Sequence, residues 1–243
     1  MDLIVPDWPA PSNVHACVTT RVGGDSDCPY DTLNLGDHVG DSPACVAQNR
    51  QVLQQRLALP STPIWLQQVH GRVVVELPCS DTSPVADAVY TRQAGQVCAV
   101  LTADCLPLLL CDQQGRQVVA VHAGWRGLAN GVIEQTLKTM GADAGQLMAW
   151  LGPAIGPEHF QVGDDVYSTF VAHSVMAKRG FVKDGERWLM DIYELARQRL
   201  QSCGVSAIYG GGLCTYADKE RFYSYRRDGV TGRMASLVWL TSP

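Results

Sequence analysis

The sequence lacks the patterns that define several common classes of protein. None of its nine cysteines forms a CxxC pair, which excludes zinc ribbons and thioredoxin-type redox sites. No apolar run approaches the roughly 20 residues that a membrane-spanning helix needs. The N-terminal segment has neither the basic stretch nor the apolar stretch of a secretory signal, so export is not expected.

Positive charge is also scarce, because 19 Lys and Arg residues stand against 24 Asp and Glu, a net charge of −5. This balance argues against nucleic-acid binding through bulk positive charge. Unpaired cysteines without a secretory signal are typical of a reducing compartment. We therefore expect a cytoplasmic protein with free thiols and with neither a membrane nor a nucleic acid as partner; protein partners stay open.

The patterns that are present predict an α/β fold. No repeat or linker divides the 243 residues, so a single domain over residues 1–243 is expected. Apolar and β-branched runs predict strands at 73–75, 97–101, 106–110, 118–121, 148–151, 207–210, 222–225 and 234–240. Helical periodicity predicts helices from residue 43, over 128–140 and 165–177, and from 191 to 204. The alternation predicts one compact domain with a mixed central β-sheet flanked by helices.

Three short segments place a reactive side chain beside glycine or proline at the edge of an apolar run. They carry His70, Cys105 and His122. Two imidazoles and a thiolate suit a catalytic zinc with an open fourth position, where bound water reaches a pKa near 7. A metal-free Cys105 thiolate activated by either histidine fits the same residues. Taken singly, each of the three also fits an ordinary structural residue.

Other polar residues lie near the same segments. Arg21, Arg126 and Arg227 are candidates for binding an anion such as phosphate, although each also fits a solvated surface arginine. Asp104 precedes Cys105 and is interpreted either as a proton shuttle or as a hydrogen-bonded turn carboxylate. The remaining histidines are expected to be surface or structural residues: His15, His38, His159 and His173.

Longer motifs resemble the YfiH-type laccase-domain family. They are QVHG at 68–71, TADCLP at 102–107, HAGWRG at 122–127, LGPAIGP at 151–157 and FYSYRRD at 222–228. TRVGG at 20–24 and LNLGDH at 33–38 are similar to the family's N-terminal motifs, so the resemblance covers nearly the whole chain. Members are also called multicopper polyphenol oxidoreductases, purine nucleoside phosphorylases and, in some bacteria, peptidoglycan-editing factors.

The resemblance implies a compact α/β domain of this family with a zinc site, carried over here onto His70, Cys105 and His122 as ligands and catalytic residues. It implies phosphorolysis of adenosine, guanosine, inosine and S-methyl-5′-thioadenosine, together with deamination of adenosine. Purine nucleosides and phosphate are therefore the expected partners. The chain departs from the family pattern at Cys28, where glycine is expected, and at Leu213, where aspartate is usual.

Three alternatives stay open. A cysteine hydrolase, for example an amidase that edits peptidoglycan precursors, would use Cys105 as nucleophile and His122 as base. A copper-dependent polyphenol oxidase would carry copper in place of zinc. The six histidines include no His-X-His pair, which argues against a four-copper cluster. The third alternative is a binding module in which the zinc is structural.

Overall fold

The computed structural model of the protein describes residues 1–242. Within them thirteen strands follow in chain order: β1 (Leu3–Ile4), β2 (Val14–Thr19), β3 (Val74–Leu77), β4 (Ala88–Thr91), β5 (Val97–Thr102), β6 (Leu106–Asp112), β7 (Val118–Ala123), β8 (Leu147–Leu151), β9 (Gln161–Val162), β10 (Phe181–Asp184), β11 (Arg187–Met190), β12 (Ala207–Gly210) and β13 (Met234–Leu240). The same residues form six α-helices: α1 (Pro43–Arg56), α2 (Trp125–Ala129), α3 (Val132–Met140), α4 (Asp164–His173), α5 (Ile192–Ser202) and α6 (Tyr225–Asp228). Two 3-10 helices span Ala144–Gln146 and Val175–Gly180.

The largest sheet has six strands in the order β12-β8-β6-β7-β4-β3. Its four inner strands are antiparallel to their inner neighbours, whereas each edge strand is parallel to the strand beside it. Every residue of β6 and β7 is buried, as their continuous apolar runs predict for strands covered on both faces. The predicted α/β class with a mixed sheet is confirmed.

The two faces of this sheet are covered by different structures. Alternate side chains of a strand point to opposite faces, so Leu108 and Leu110 of β6 join one core while Leu109 and Cys111 join another. The first core lies under α3 and α5. The second lies against a four-stranded antiparallel sheet, β1-β2-β13-β5. A third core forms where α1 contacts the outer face of that sheet through Leu53. The helices thus flank a pair of stacked sheets.

Some predicted elements take another form. The helix expected over 128–140 is interrupted because Gly131 adopts a left-handed φ of +85°, which ends α2 and starts α3. The helix expected over 165–177 ends at His173 and gives way to a 3-10 helix. The strand expected over 222–225 is absent from the described chain. There Tyr223 is buried among apolar neighbours, and the Ser224 side chain caps α6.

The sequence patterns did not predict β1, β2, β4, β9 or the hairpin of β10 and β11. Only two of the eight residues in the two hairpin strands are buried, and the sequence lacks the apolar alternation of a half-buried strand. β4 has only four residues and follows directly after the buried Asp87, a position that interrupts the apolar run.

The state of the cysteines and the length of the helices relate to two predictions from the sequence, free thiols and no membrane-spanning segment. All nine cysteines are free. Cys98 and Cys111 lie in the core between the sheets, where burial raises the pKa of both thiols. Across residues 1–242, the helices fall short of the length and apolarity that crossing a bilayer requires.

Candidate metal centre

Strand register brings Cys105 and His122 to one end of the central sheet. β6 begins beside the last residue of β7, so Cys105, immediately before β6, comes next to His122 near the end of β7. On the other side of β7, Asp87 immediately precedes β4, and its carbonyl accepts a 2.7 Å hydrogen bond from the backbone N–H of His122. Three adjacent strands therefore place a thiol, an imidazole and a carboxyl group in one row.

The carboxylate of Asp87 holds His70 at the same place. It accepts hydrogen bonds from the backbone N–H groups of Val69 at 3.3 Å, His70 at 2.9 Å and Gly71 at 2.6 Å. His70 itself has a left-handed φ of 59°. Such a conformation costs a non-glycine residue about 1 kcal/mol or more, and persists only where surrounding contacts enforce it. The buried Asp87 supplies these contacts, which fix the loop before β3.

The same carboxylate sets the tautomer of His122. The Nδ1–H of His122 donates to the Asp87 carboxylate at 2.8 Å, and both side chains are buried. In the neutral ring, the Nε2 atom of His122 is then left without a proton and available as a ligand or acceptor. A histidine oriented in this way by a carboxylate is typical of metal sites, where the second contact fixes the ring and raises its basicity.

The donor set fits a single metal ion. The ligand atoms of His70, Cys105 and His122 all lie within 4.8 Å of one another. Cys105 Sγ is 3.6 Å from His70 Nε2. Two ligands of a tetrahedral zinc, with bonds of 2.3 Å to sulfur and about 2.05 Å to nitrogen, lie about 3.6 Å apart. We call these three residues the candidate metal centre; within residues 1–242 they are the one group of this kind.

Glycine is needed beside this centre. A Cβ atom at Gly124 would lie 2.8 Å from His70 Cδ2 and 2.9 Å from Cys105 Sγ, closer than real Cβ contacts. The loop between β7 and α2 can therefore approach the donors only without a side chain. This explains why the HAGWRG motif carries glycine two residues after His122.

The surrounding charges and hydrogen bonds favour the charged forms of the Cys105 thiol and the His122 imidazole. Burial by itself would raise the pKa of Cys105, but the charges and hydrogen bonds of His122 and His70 outweigh it and lower that pKa to about 6. Burial would likewise lower the pKa of His122, but Cys105 and Asp87 raise it to about 9. For Asp87, the hydrogen bonds from His122, His70 and Gly71 outweigh the effect of burial, so its pKa is lowered. Without a metal, these shifts favour a thiolate at Cys105 and an imidazolium at His122.

Asp104, beside Cys105, makes contacts that tie loops together. Its Oδ1 accepts a 2.6 Å hydrogen bond from the Thr215 hydroxyl, and its Oδ2 accepts one of 2.6 Å from the backbone N–H of Arg226. Its carbonyl accepts another from the backbone N–H of Ile155 at 3.0 Å. The left-handed φ of 88° at Asp104 is held by these bonds. The arrangement favours the turn-carboxylate interpretation, because both carboxylate oxygens and the carbonyl are bonded to groups of other segments.

A cavity of about 570 Å³ opens onto the candidate metal centre. This volume falls within the range of about 300–1,000 Å³ that small-molecule sites occupy. Apolar and aromatic side chains form much of its wall: Leu101, Ala103, Trp125, Ile155, Phe160, Ile192 and Tyr225. The polar remainder, besides the three donors, consists of His38, Gln68, Thr102, Asp104, Arg126, Arg226 and Arg233.

Of the three arginines predicted to bind an anion, Arg126 lies at this cavity. Arg21 pairs with Asp31 at 3.1 Å and lies over the Tyr223 ring, and it is not among the cavity's wall residues. The Arg227 guanidinium, also outside the wall, donates to three backbone carbonyls and pairs with Asp228. These contacts hold Arg21 and Arg227 in structural positions.

Sequence reasoning missed four residues of the site. Asp87 had one visible signal, a charged residue inside the apolar run 85–90, which demands a partner when buried. Arg233 and His38 carry no local signal. Arg226 lies next to Arg227, and no pattern in the sequence separates the arginine that faces the cavity from its neighbour.

The fold and the donor set define an α/β protein with a candidate site for one metal ion. The chain belongs to the family described as multi-copper polyphenol oxidoreductase laccase, whose model matches residues 15–241.

Relatives of this chain are similar over nearly their whole length. It is 53% identical, over 239 residues and 98% of both chains, to a protein of Shigella flexneri named purine nucleoside phosphorylase YfiH. A purine nucleoside phosphorylase of Pseudomonas aeruginosa is also 53% identical, over 98% of both chains. Among solved structures, a Neisseria meningitidis protein matches with a TM-score of 0.95, 46% identity and complete coverage of both chains. YlmD of Geobacillus stearothermophilus matches with a TM-score of 0.92 and 29% identity, over 100% of this chain and 97% of that one.

Proposed function

We propose that this protein is a purine nucleoside phosphorylase that acts on adenosine, guanosine, inosine and S-methyl-5′-thioadenosine and that also deaminates adenosine. One observation carries the proposal: His70, Cys105 and His122 converge on a cavity of nucleoside-binding size. The names of relatives at 53% identity support it. Purine nucleosides and phosphate are then the small-molecule partners.

His70, Cys105 and His122 are the residues that would hold the ion, and we propose zinc. When bound with an open fourth position, zinc supplies a Lewis acid and lowers the pKa of a bound water to near 7. Nitrogen and sulfur donors also accept copper, which binds such sites more tightly, so copper is the substitute to test.

The chain's own residues have separate roles in this proposal. Asp87 keeps the Nε2 atom of His122 directed to the centre by holding Nδ1–H. Arg126 binds phosphate. Leu101, Ile155 and Phe160 cover the purine with apolar surface and exclude water from it.

Two broader expectations belong to the proposal. Nine free thiols support a reducing compartment, the cytoplasm. The pairing of β2 with β13 joins the two ends of the chain in one sheet, which supports a single domain over residues 1–243.

The direct test supplies adenosine to the zinc-loaded protein with and without phosphate. Adenine should be released only with phosphate, whereas inosine should form without it. Cys105→Ala should reduce both products more than about a hundredfold, because it removes a ligand. Cys45→Ala, a change of the same kind in α1, is the matched control. Equal product from Cys105→Ala and the wild type would remove the candidate metal centre from the reaction.

A cysteine hydrolase that edits an amide of a peptidoglycan precursor is the second candidate. It is favoured by the lowered pKa of the Cys105 thiol, about 6, beside an imidazolium. In that case activity survives a strong chelator and is abolished by a thiol alkylator. Zinc-dependent phosphorolysis should instead be abolished by the chelator, because the chelator removes the ion.

A copper-dependent polyphenol oxidase is the third candidate, suggested by the description of the family. Residues 1–242 bring together one group of metal donors, which suits a single ion better than a multi-copper cluster. Phenol oxidation by the copper-loaded protein, compared with the zinc-loaded protein, decides this alternative.

A further inference from the structure

The cavity wall carries positive charge that the protein leaves unpaired. Arg126, Arg226 and Arg233 lie in it, and none of them forms an ion pair with a carboxylate within residues 1–242. Asp104, the one acidic residue of the wall, uses its two oxygens on Thr215 and the Arg226 backbone. In a chain of net charge −5, this concentration of unpaired arginines requires an explanation.

Each of these arginines keeps donor groups free. The Arg126 guanidinium makes no hydrogen bond to any other residue of the described chain. Arg226 donates one bond, from one terminal nitrogen, to the Gln161 carbonyl. Arg233 donates from one terminal nitrogen to two backbone carbonyls. A guanidinium has five N–H donors, so most of this capacity is unused.

Aromatic rings of the same wall hold the guanidinium groups. The Arg126 Cζ atom lies 4.4 Å from the Trp125 ring centroid, and the Arg226 Cζ atom lies 5.3 Å from that of Phe160. The third pair, Arg233 and Tyr225, is separated by 6.0 Å. Such contacts attract the cation to the ring face and leave the in-plane N–H groups for a ligand.

Each arginine is also connected to the strand ends that bear the metal donors. Arg126 lies in the first turn of α2, four residues after His122 of β7, and Arg226 is bound through its backbone N–H to Asp104, the neighbour of Cys105. Arg233 immediately precedes Met234 of β13, which pairs with Thr102 at the end of β5. The three positive groups therefore belong to the same end of the sheets as the candidate metal centre.

A buried hydroxyl gives an independent indication. Thr102 is 2% exposed and lines the cavity, and its Oγ1 has no hydrogen-bond partner within residues 1–242. An unpartnered buried polar atom costs about 1–3 kcal/mol, and among the described residues Thr102 Oγ1 is the one such side-chain atom in the wall of this cavity. Burial also lowers the pKa of Arg233, which means that its charge is poorly solvated in the protein. An anion in the cavity would accept a hydrogen bond from the Thr102 hydroxyl and would stabilise the charge of Arg233.

We propose that Arg126, Arg226, Arg233 and the hydroxyl of Thr102 form an anion subsite that binds inorganic phosphate within the cavity of the candidate metal centre. The inference rests on the proposed function and deepens it, because it assigns the phosphate cosubstrate to residues. Guanidinium forks and a hydroxyl donor match phosphate oxygens. A phosphate oxygen forms the bond to C1′ of the ribose as the C1′–N9 bond breaks; the electron pair goes to N9, and the departing purine takes up the proton that hydrogen phosphate loses.

The test measures phosphate binding directly by calorimetry on the zinc-loaded protein, without nucleoside. Arg226→Gln and Arg233→Gln should each weaken phosphate binding about tenfold or more, since a charge-assisted hydrogen bond is lost. Arg56→Gln removes an exposed arginine in the last turn of α1 and is the matched control, with unchanged binding. Phosphate affinity equal to wild type in both variants overturns the subsite, as does a wild type that binds no phosphate.

Thr102→Val keeps the side-chain shape and separates binding from folding. It should weaken phosphate binding several-fold while thermal stability stays equal or rises, because an unsatisfied buried hydroxyl is removed. The titrations are repeated after zinc removal to identify phosphate that binds to the ion alone. Phosphate binding that requires zinc and is unchanged in the arginine variants also overturns the subsite.

Steady-state kinetics distinguish this failure from failure of the proposed function. Phosphorolysis with an unchanged KM for phosphate in the arginine variants refutes the subsite and leaves the proposed function standing. Arginine-dependent phosphate binding without release of any purine refutes the proposed function and leaves the subsite standing.

Discussion

Two regions of the molecule combine arginine, histidine and a carboxylate beside a cavity, yet their side chains are engaged differently. In the first, which we call the Arg199 cluster, the buried Arg199 pairs with Glu134 at 2.6 Å and donates to the carbonyl of Ala129 at 3.0 Å. The same guanidinium lies 2.9 Å from His173 Nε2. Cavities of about 290 and 310 Å³ adjoin it. Its positive charge has a carboxylate partner inside the protein.

The anion subsite and the candidate metal centre show the opposite arrangement. Arginines lie in the wall without carboxylate partners, and His70 and Cys105 present ligand atoms to a larger cavity. The comparison teaches that a cavity with charged walls does not by itself indicate a ligand site. What marks the site is arginine charge without a carboxylate partner, beside metal-donor atoms that converge on one point.

The largest effect is expected when the carboxylates of the two regions are changed in turn and zinc affinity is compared. Asp87→Asn should lower zinc affinity about 10- to 100-fold, because an amide NH₂ in place of Oδ2 cannot accept from the backbone N–H groups of Val69 and Gly71. A competition titration against a chelating dye measures this. Glu134→Gln, the matched change in the Arg199 cluster, should leave zinc affinity intact. Wild-type zinc affinity in Asp87→Asn would contradict the role given to this residue.

The second prediction compares how much one arginine from each region contributes to the stability of the protein. Arg199→Gln should lower the free energy of unfolding by about 2 kcal/mol, since Glu134 and His173 lose their partner. Arg233→Gln should change it by less than about 1 kcal/mol, because no ion pair is broken. Urea unfolding followed by circular dichroism compares the two. If Arg233→Gln is the more destabilising, the distinction between paired and unpaired arginines is wrong.

The smallest effect is a difference in pH dependence between two thiols of the metal-free protein. The thiolate is the reactive form, so alkylation of Cys105 should rise with pH through about 6 and then level off. Cys203 lies near the Arg199 cluster, where burial and Glu134 raise its pKa, so its alkylation should still be rising in the alkaline range. Peptide mapping by mass spectrometry follows each thiol. Coincident profiles would show that the two environments do not differ as described.

Local patterns predicted the elements that depend on composition alone. The runs at 97–101, 106–110 and 118–121 are buried strands in the structure because strands covered on both faces need continuous apolar sequence. The aromatic segment 222–225 misled the same reasoning. Phe222 and Tyr223 are buried in a small core without belonging to a sheet, and Tyr225 is exposed.

By itself the sequence determined the α/β class and singled out His70, Cys105 and His122, because apolar runs and reactive residues beside glycine or proline are visible in a few neighbouring positions. Only the tertiary structure decided that Asp87 orients two of these residues and that Arg226 and Arg233 face the cavity in place of Arg21 and Arg227. These assignments depend on which strand ends lie side by side and on which donors are already bonded. Both are properties of pairing between distant segments, and local sequence carries neither.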